Sequence, residues 1–205
     1  MQGVDAIAAQ LIALEDGRHA LLRPATRDDI AAIGEYIFRL SHDDRRTRYM
    51  GTVTVDHLTS PARLQRLYDD TLDYRQHAAF IAELDGEIIG VAHAFRIGEH
   101  GTYEVSFSRR SDLRGQGIGR NLMQMLIDWG VRAGAHGYYA TTYRHENPRM
   151  RALFDRFGFV AKADPDDPQV VIYTTSIANL VHAGERVMNQ RLSAGAAATA
   201  ATEGA

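Results

Sequence analysis

The stretch Leu113-Arg114-Gly115-Gln116-Gly117-Ile118-Gly119-Arg120 limits what this chain can become more than any other. It sets Gly115, Gly117 and Gly119 between a segment that reads as a strand, Tyr103–Arg109, and a helix with Leu122, Leu126, Trp129 and Ala133 on one face. Glycines lack the Cβ atoms that keep backbone N–H groups away from a bulky anion. The first turn of the helix adds unpaired N–H groups and a partial positive charge. Together they predict a pyrophosphate cradle from Arg114 to Arg120, with Arg114 and Arg120 adding charge. An isolated Gly-x-Gly is more often an ordinary turn. The strand–loop–helix setting is what favours phosphate here.

Two common nucleotide motifs fit poorly. A P-loop needs Lys-Ser/Thr after its last glycine, and Gly119 is followed by Arg120-Asn121. A dinucleotide fingerprint expects an acid after the second strand, where this chain has Thr141 and Thr142. Composition narrows the field further. There is no cysteine, which excludes disulfides, thiolate zinc sites and any acyl-cysteine on the protein. The histidines show no metal-ligand spacing, so no metal is implied. A net charge of -3 argues against nucleic acid as an obligate partner. No apolar run approaches the roughly 18 residues of a membrane span, and Met1–Leu14 lacks a basic start, so the cytoplasm is the expected location.

The length, 205 residues, suits one domain with tails. Residues 1–18 read as an extension, where Ile7, Leu11 and Leu14 admit either a short helix or an irregular segment. Residues 19–190 form the domain, and 191–205, rich in Ala and Gly, reads as a disordered tail. Ala20–Arg23 predicts a first strand. Thr26 and Asp29 resemble a capping box before a helix with Ile30, Ile33, Ile37 and Leu40 on one face. Ser41–Ser60, polar and rich in Arg, reads as a surface loop that meets a partner or substrate. A helix follows from Pro61 to about Tyr74. Asp85-Gly86 predicts a hairpin between Ala78–Leu84 and Glu87–Ile97. His93 then falls mid-strand, as a satisfied sheet histidine. Later strands are expected at Tyr138–Tyr143, Phe159–Lys162 and Val170–Thr175. Helices are expected at Pro148–Phe157 and over Ile177–Val187.

Arg114-x-x-Gly117-x-Gly119 resembles the pyrophosphate motif of the GCN5-related N-acetyltransferases (GNAT). So does its ordered setting: strand Tyr103–Arg109 before it, a helix after it, a strand from Tyr138, then Asn147, then Gly158-Phe159. The resemblance spans roughly Leu21 to Thr175. Leu22-Arg23-Pro24, Arg48-Tyr49 and Ser111–Gly115 look most like the catalytic domains of bacterial protein lysine acetyltransferases. The resemblance implies an α/β fold: a mixed, mainly antiparallel sheet splayed in the middle, with helices on both faces. It also implies acetyl-CoA as co-substrate, entering between the strands 103–109 and 138–143.

By that resemblance, backbone groups of Phe107 and Arg109 meet the pantetheine and the thioester carbonyl, and Asn147 contacts the donor while capping its helix. Arg114, Gly115, Gln116, Gly117, Ile118, Gly119 and Arg120 hold the pyrophosphate. Glu104 matches the base of lysine acetyltransferases; a protonated amine is no nucleophile, so a base on the acceptor side helps. His145 and Glu146 are weaker candidates for that task. Two positions depart from the family. Arg109 stands where an apolar residue is usual, and Phe154 stands where many relatives have a tyrosine that protonates the leaving thiolate. The function implied is transfer of acetyl from acetyl-CoA to an amine, favouring a protein lysine. The alternatives are a small-molecule amine as acceptor, or an acyl-CoA-sensing module without turnover.

Overall fold

The structure, a computed structural model, describes residues 7–98, 100–187 and 189. Its frame is an eight-stranded sheet: β1 (Gln10–Ala13), β2 (His19–Pro24), β3 (His77–Leu84), β4 (Glu87–Ile97), β5 (Thr102–Arg109), β6 (Gly137–Tyr143), β7 (Val160–Ala163) and β8 (Val170–Ser176). The spatial order is β1-β2-β3-β4-β5-β6-β8-β7, antiparallel throughout except where β5 meets β6. The β3–β4 hairpin turns on Asp85 and Gly86, both at positive φ, as a tight two-residue turn requires.

Helices cover both faces, so the central strands are apolar on both sides. On one face α1 (Ile30–Arg39) packs Ile33, Tyr36 and Ile37 over Ala79, Ile81, Ile88 and Val91. Its entry is the expected capping box: Asp29 accepts from the Thr26 backbone N–H at 2.8 Å, and Arg23 donates to the same carboxylate at 2.7 and 2.8 Å. α4 (Pro61–Gln65) joins that layer and runs on as a π-turn to Asp70, a little short of the expected end. On the other face α5 (Ile118–Arg132) buries Leu122, Met125, Leu126 and Trp129 against Phe80, Ala92 and Tyr103. Each such side chain contributes about 1.5–3 kcal/mol when fully buried. α6 (Pro148–Arg156) and a last helix, α7 (177–187), complete this layer.

Two expectations are corrected. The helix admitted over Val4–Leu14 is instead β1, whose Gln10–Ala13 pairs with His19–Leu22; apolar spacing alone did not separate the two, and cross-strand pairing decided it. The sheet therefore begins inside the segment read as an extension. The loop Ser41–Ser60 carries two short helices, α2 (His42–Tyr49) and α3 (Val55–Leu58). Ser41 caps α2, its Oγ accepting from the Asp44 N–H at 3.0 Å, and no residue of α2 is buried, which is why no apolar stripe announces it. The expected tail, 191–205, and residues 1–6 lie outside the described residues.

His93 is the satisfied sheet histidine its position suggests. It meets Tyr68 Oη at 2.8 Å and His77 at 2.9 Å, and stacks beside His77 and Phe95. Burial pushes the His77 imidazole down to about 4 and His93 further below its ordinary range. Among the described residues, no helix is long and apolar enough to cross a membrane, and no group of His, Cys, Asp and Glu is placed to hold a metal ion.

Candidate active site

The feature that makes a site is where β5 and β6 stop pairing. They run parallel for three register pairs, Thr102 with Gly137, Tyr103 with Tyr138 and Glu104 with Tyr139. Past those pairs β5 stays on β4 and β6 stays on β8, so a gap opens between them. The Arg110 N–H donates to the Ile89 carbonyl at 2.9 Å. Hydrogen-bonded pairs alternate along an antiparallel ladder. Residues of the opposite parity on β5 beyond the β6 pairs, Phe107 and Arg109, thus turn their N–H and C=O groups away from β4 and into the gap. Side chains alternate too. Tyr103 packs on Trp129 of α5, and Tyr36 of α1 donates to Ser108 Oγ at 2.9 Å. Phe107 and Arg109 consequently face the α5 side; Glu104, Ser106 and Ser108 face α1 and α2.

The cradle sits at the α5 end of the gap. Gly117 is the N-cap, at φ 79°, and the first intrahelical bond is from the Asn121 N–H to the Gly117 carbonyl at 3.1 Å. The N–H groups of Ile118, Gly119 and Arg120 are therefore without intrahelical acceptors. Asn121 also donates from its side chain to the Gly117 carbonyl at 3.0 Å, pinning the turn. A Cβ on Gly117 would meet the Arg120 guanidinium at 2.8 Å. The Ile118 side chain is buried in the core, so this residue contributes to the cradle through its backbone.

A cleft of about 320 Å³ opens in front of this turn. Of the ten residues expected to hold the donor, nine line it: Phe107, Arg109, Gly115, Gln116, Gly117, Ile118, Gly119, Arg120 and Asn147. Arg114 does not. Its half-exposed side chain instead lies 3.8 Å from Asp44 of α2. Other arginines line the cleft, Arg48 from the Arg48-Tyr49 pair noted in the sequence, and Arg149 and Arg156, which the sequence did not mark. Arg48, Arg149 and Arg156 join Arg109 and Arg120 in the lining, against the acids Glu15 and Asp44. Burial, then the neighbouring Arg114 and Arg149, pulls the Arg109 guanidinium below its ordinary value. Arg120 Nε is buried with no hydrogen-bond partner among the described residues. An excess of cations, an unmatched buried donor and free helix-terminal N–H groups fit a pyrophosphate. The β1–β2 turn closes one side: the Asp16 N–H donates to Gln116 Oε1 at 3.0 Å, and Arg120 lies 3.4 Å from Glu15.

A second, narrower cavity of about 50 Å³ lies deeper in the gap, lined by Glu104, Val105, Ser106, Thr141, Thr142 and Phe154 among others. It shares Thr47, Arg48, Phe107, Asn147 and Met150 with the larger cleft, so the two adjoin. Glu104 thus lines the cavity that adjoins the cleft in front of the cradle. Tyr139 lies close to it, its phenol pushed up by burial first and by Glu104 second. Asn147 belongs to both cavities and is a cap as well, its Oδ1 accepting from the Met150 N–H at 3.2 Å. Of the weaker base candidates, His145 is exposed and lines neither cavity. Glu146 is held by Arg46, one of its two contacts being 3.0 Å, and that pairing keeps its carboxyl below the usual range. Arg46 also lies 5.0 Å over the Tyr143 ring, so α2 straps the two sides of the gap together on the Glu104 face.

A family model described as the acetyltransferase (GNAT) family matches residues 37–159 of the chain. An acetyltransferase of Pseudomonas aeruginosa is 35% identical over 168 residues, covering 80% of this chain and 87% of that protein. Among solved structures, the GNAT domain of S. lividans PAT superposes with a TM-score of 0.72 at 21% identity, over 82% of this chain and 96% of that one. A putative acetyltransferase of Salmonella typhimurium, solved with its cofactor acetyl-CoA, gives a TM-score of 0.57 at 22% identity, over 77% and 94%. The two structures speak for the fold, a splayed mixed sheet with helices on both faces.

Proposed function

Because the chain belongs to the GNAT acetyltransferase family, we propose that it moves acetyl directly from acetyl-CoA to an amine in the cytoplasm, and that its favoured acceptor is a lysine of a protein. The shared walls of the two cavities carry this reading. A long thioester whose pyrophosphate rests on Gly117–Arg120 would extend along β5 and bring its carbonyl to the gap beside Glu104.

Each group then has a task. The Phe107 and Arg109 N–H groups, free of the β4 ladder, hydrogen-bond the pantetheine and polarise the thioester carbonyl where charge develops. Asn147 fixes the arm at the junction of the cavities. Glu104 takes the proton that the amine loses as its nitrogen attacks. A lysine with a pKa near ~10.4 is only about 0.04% neutral at pH 7, so a base that takes up its protons raises the reactive fraction. Transfer is direct because no cysteine exists to carry the acetyl group. A cavity of about 50 Å³ admits a thin, unbranched aminoalkyl chain, as in a lysine or a polyamine, more readily than an amino sugar.

The test sets lysine-bearing proteins against free polyamines and amino sugars, following thiol release from acetyl-CoA. Because the chain has no thiol, in the free-amine assays all thiol signal comes from CoA. The expected result is faster release with protein acceptors and acetyl-lysine in their mass spectra. A small amine used with far higher kcat/KM overturns the lysine assignment. Donor binding with no turnover on any amine overturns the enzyme reading in favour of a sensor.

A further inference from the structure

Phe154 leaves the reaction without the phenol expected to meet the departing sulfur, and the same cavity is lined by a threonine whose hydroxyl has no hydrogen-bond partner among the described residues. Thr142 lies on β6, 2% exposed, and its Oγ1 is buried without a hydrogen-bond partner among the described residues. A buried hydroxyl left unpaired costs about 1–3 kcal/mol, so such a group points to a missing partner. Thr142 and Phe154 both line the narrow cavity that contains Glu104. Parity separates them. Tyr138, on the same strand, donates from its hydroxyl to the Leu126 carbonyl of α5, so Tyr138, Ala140 and Thr142 face the α5–α6 layer. Phe154 of α6 lies in that layer, edge-on to Phe107 at 6.4 Å. Glu104 projects from the opposite face, towards α1 and α2.

We propose that Thr142 is a further catalytic residue, its hydroxyl donating a hydrogen bond to the CoA sulfur as the C–S bond breaks. This rests on the acetyl-transfer reading above. The amine nitrogen forms a bond to the thioester carbonyl carbon, and Glu104 takes the proton released from that nitrogen. The C–S bond breaks and its electron pair stays on sulfur. Thr142 keeps its own proton; its O–H stabilises the thiolate, and no oxidant or second reactant is needed. Base and donor thus flank the reacting carbon from opposite faces of the sheet. That placement also explains why a phenylalanine is tolerated at 154: the thiolate leaves hydrogen-bonded to a neighbouring strand instead of being protonated from α6.

The experiment reads the bound thiol directly. CoA is the only thiol in the sample, because the chain has no cysteine. Its thiolate absorbance is titrated in complex with the wild-type protein and with Thr142→Val, Thr142→Ser and Thr142→Val/Phe154→Tyr, after subtraction of the matching desulfo-CoA complexes. Free CoA titrated in the same buffer gives the reference value. The wild-type complex is expected below that value, Thr142→Val about one unit or more higher, and Thr142→Ser back at the wild-type position. Turnover by Thr142→Val is expected to fall about 10–100-fold with acetyl-CoA affinity kept, and Phe154→Tyr in that background is expected to restore part of it. Loss of turnover with an unmoved thiol titration overturns the proposal, since it marks a packing role. Unchanged turnover and titration overturn it as well. A wild-type protein that transfers acetyl to no amine, yet shows the thiol shift on Thr142→Val, supports the hydrogen bond while removing the acetyl-transfer reading.

Discussion

One methyl group separates binding from folding in this protein. Gly119 is the second residue of α5, its φ lies outside the left-handed region, and it lines the cleft. A Cβ built there has Leu153 Cδ2 as its nearest neighbour, at 3.6 Å, an ordinary contact. Leu153 is itself a wall of the cleft, so the methyl of Gly119→Ala projects into space that the protein leaves open. The fold gains rather than loses. Alanine is favoured over glycine in a helix by up to about 1 kcal/mol, less in a first turn, and it also narrows the unfolded ensemble. A gain of about 0.5–1 kcal/mol raises Tm by about 1–4 °C in a chain of this size.

Binding moves the other way. Charge-assisted N–H···O contacts to phosphate need about 2.7–2.9 Å, and a methyl over the cradle holds the anion beyond that distance. Each such bond lost costs about 1.5–3 kcal/mol, or roughly 10–150-fold in Kd. Calorimetry with CoA and thermal unfolding of the free protein read the two effects separately. Unchanged CoA affinity refutes the cradle. A lowered Tm without ligand refutes the claim that the space is open. Gly117 offers no such separation, because its positive φ and the Arg120 contact at 2.8 Å strain the loop itself.

Glu104→Gln keeps the shape and removes the base, so turnover should fall about 10²–10⁴-fold with acetyl-CoA affinity unchanged. The loss should shrink towards pH 10, where more of the amine is already neutral; near wild-type turnover at pH 7 would remove Glu104 as base. Stability should depend on pH through His77 and His93. Burial lowers both imidazoles, His77 to about 4, so below an unfolded value near ~6.5 the unfolded chain binds protons that the folded one refuses. Their stabilising balance is intact above about pH 6.5 and is lost as pH falls towards 4. His77 alone accounts for about 2 kcal/mol by pH 5. The urea midpoint should drop between pH 7 and 5, and a flat midpoint across that range would contradict this account.

What the sequence determined is local. Asp85-Gly86 dictates a tight turn, Thr26 and Asp29 a helix start, Asn147-Pro148 another, and Leu122–Trp129 an amphipathic helix, because each depends on side chains a few residues apart. The glycine loop was legible for the same reason: cradle and helix terminus are one continuous stretch of backbone. The walls of the site were not. Arg149 and Arg156 reach the cleft from α6, and nothing near them in the chain distinguishes them from solvated arginines. Helix α2 has no buried residue, and it is held by contacts far off in the chain, Tyr49 packing on the α1 cluster and Arg46 meeting Glu146. β1 needed β2 beside it before strand could win over helix. The Thr142 hydroxyl is an ordinary strand threonine until the neighbouring strand moves away. Only the tertiary structure decided that parting, since β5 is held by β4 and β6 by β8 while the pairs joining the two end at Glu104 and Tyr139. A gap between strands is a contact that fails to form, and no local pattern of residues encodes it.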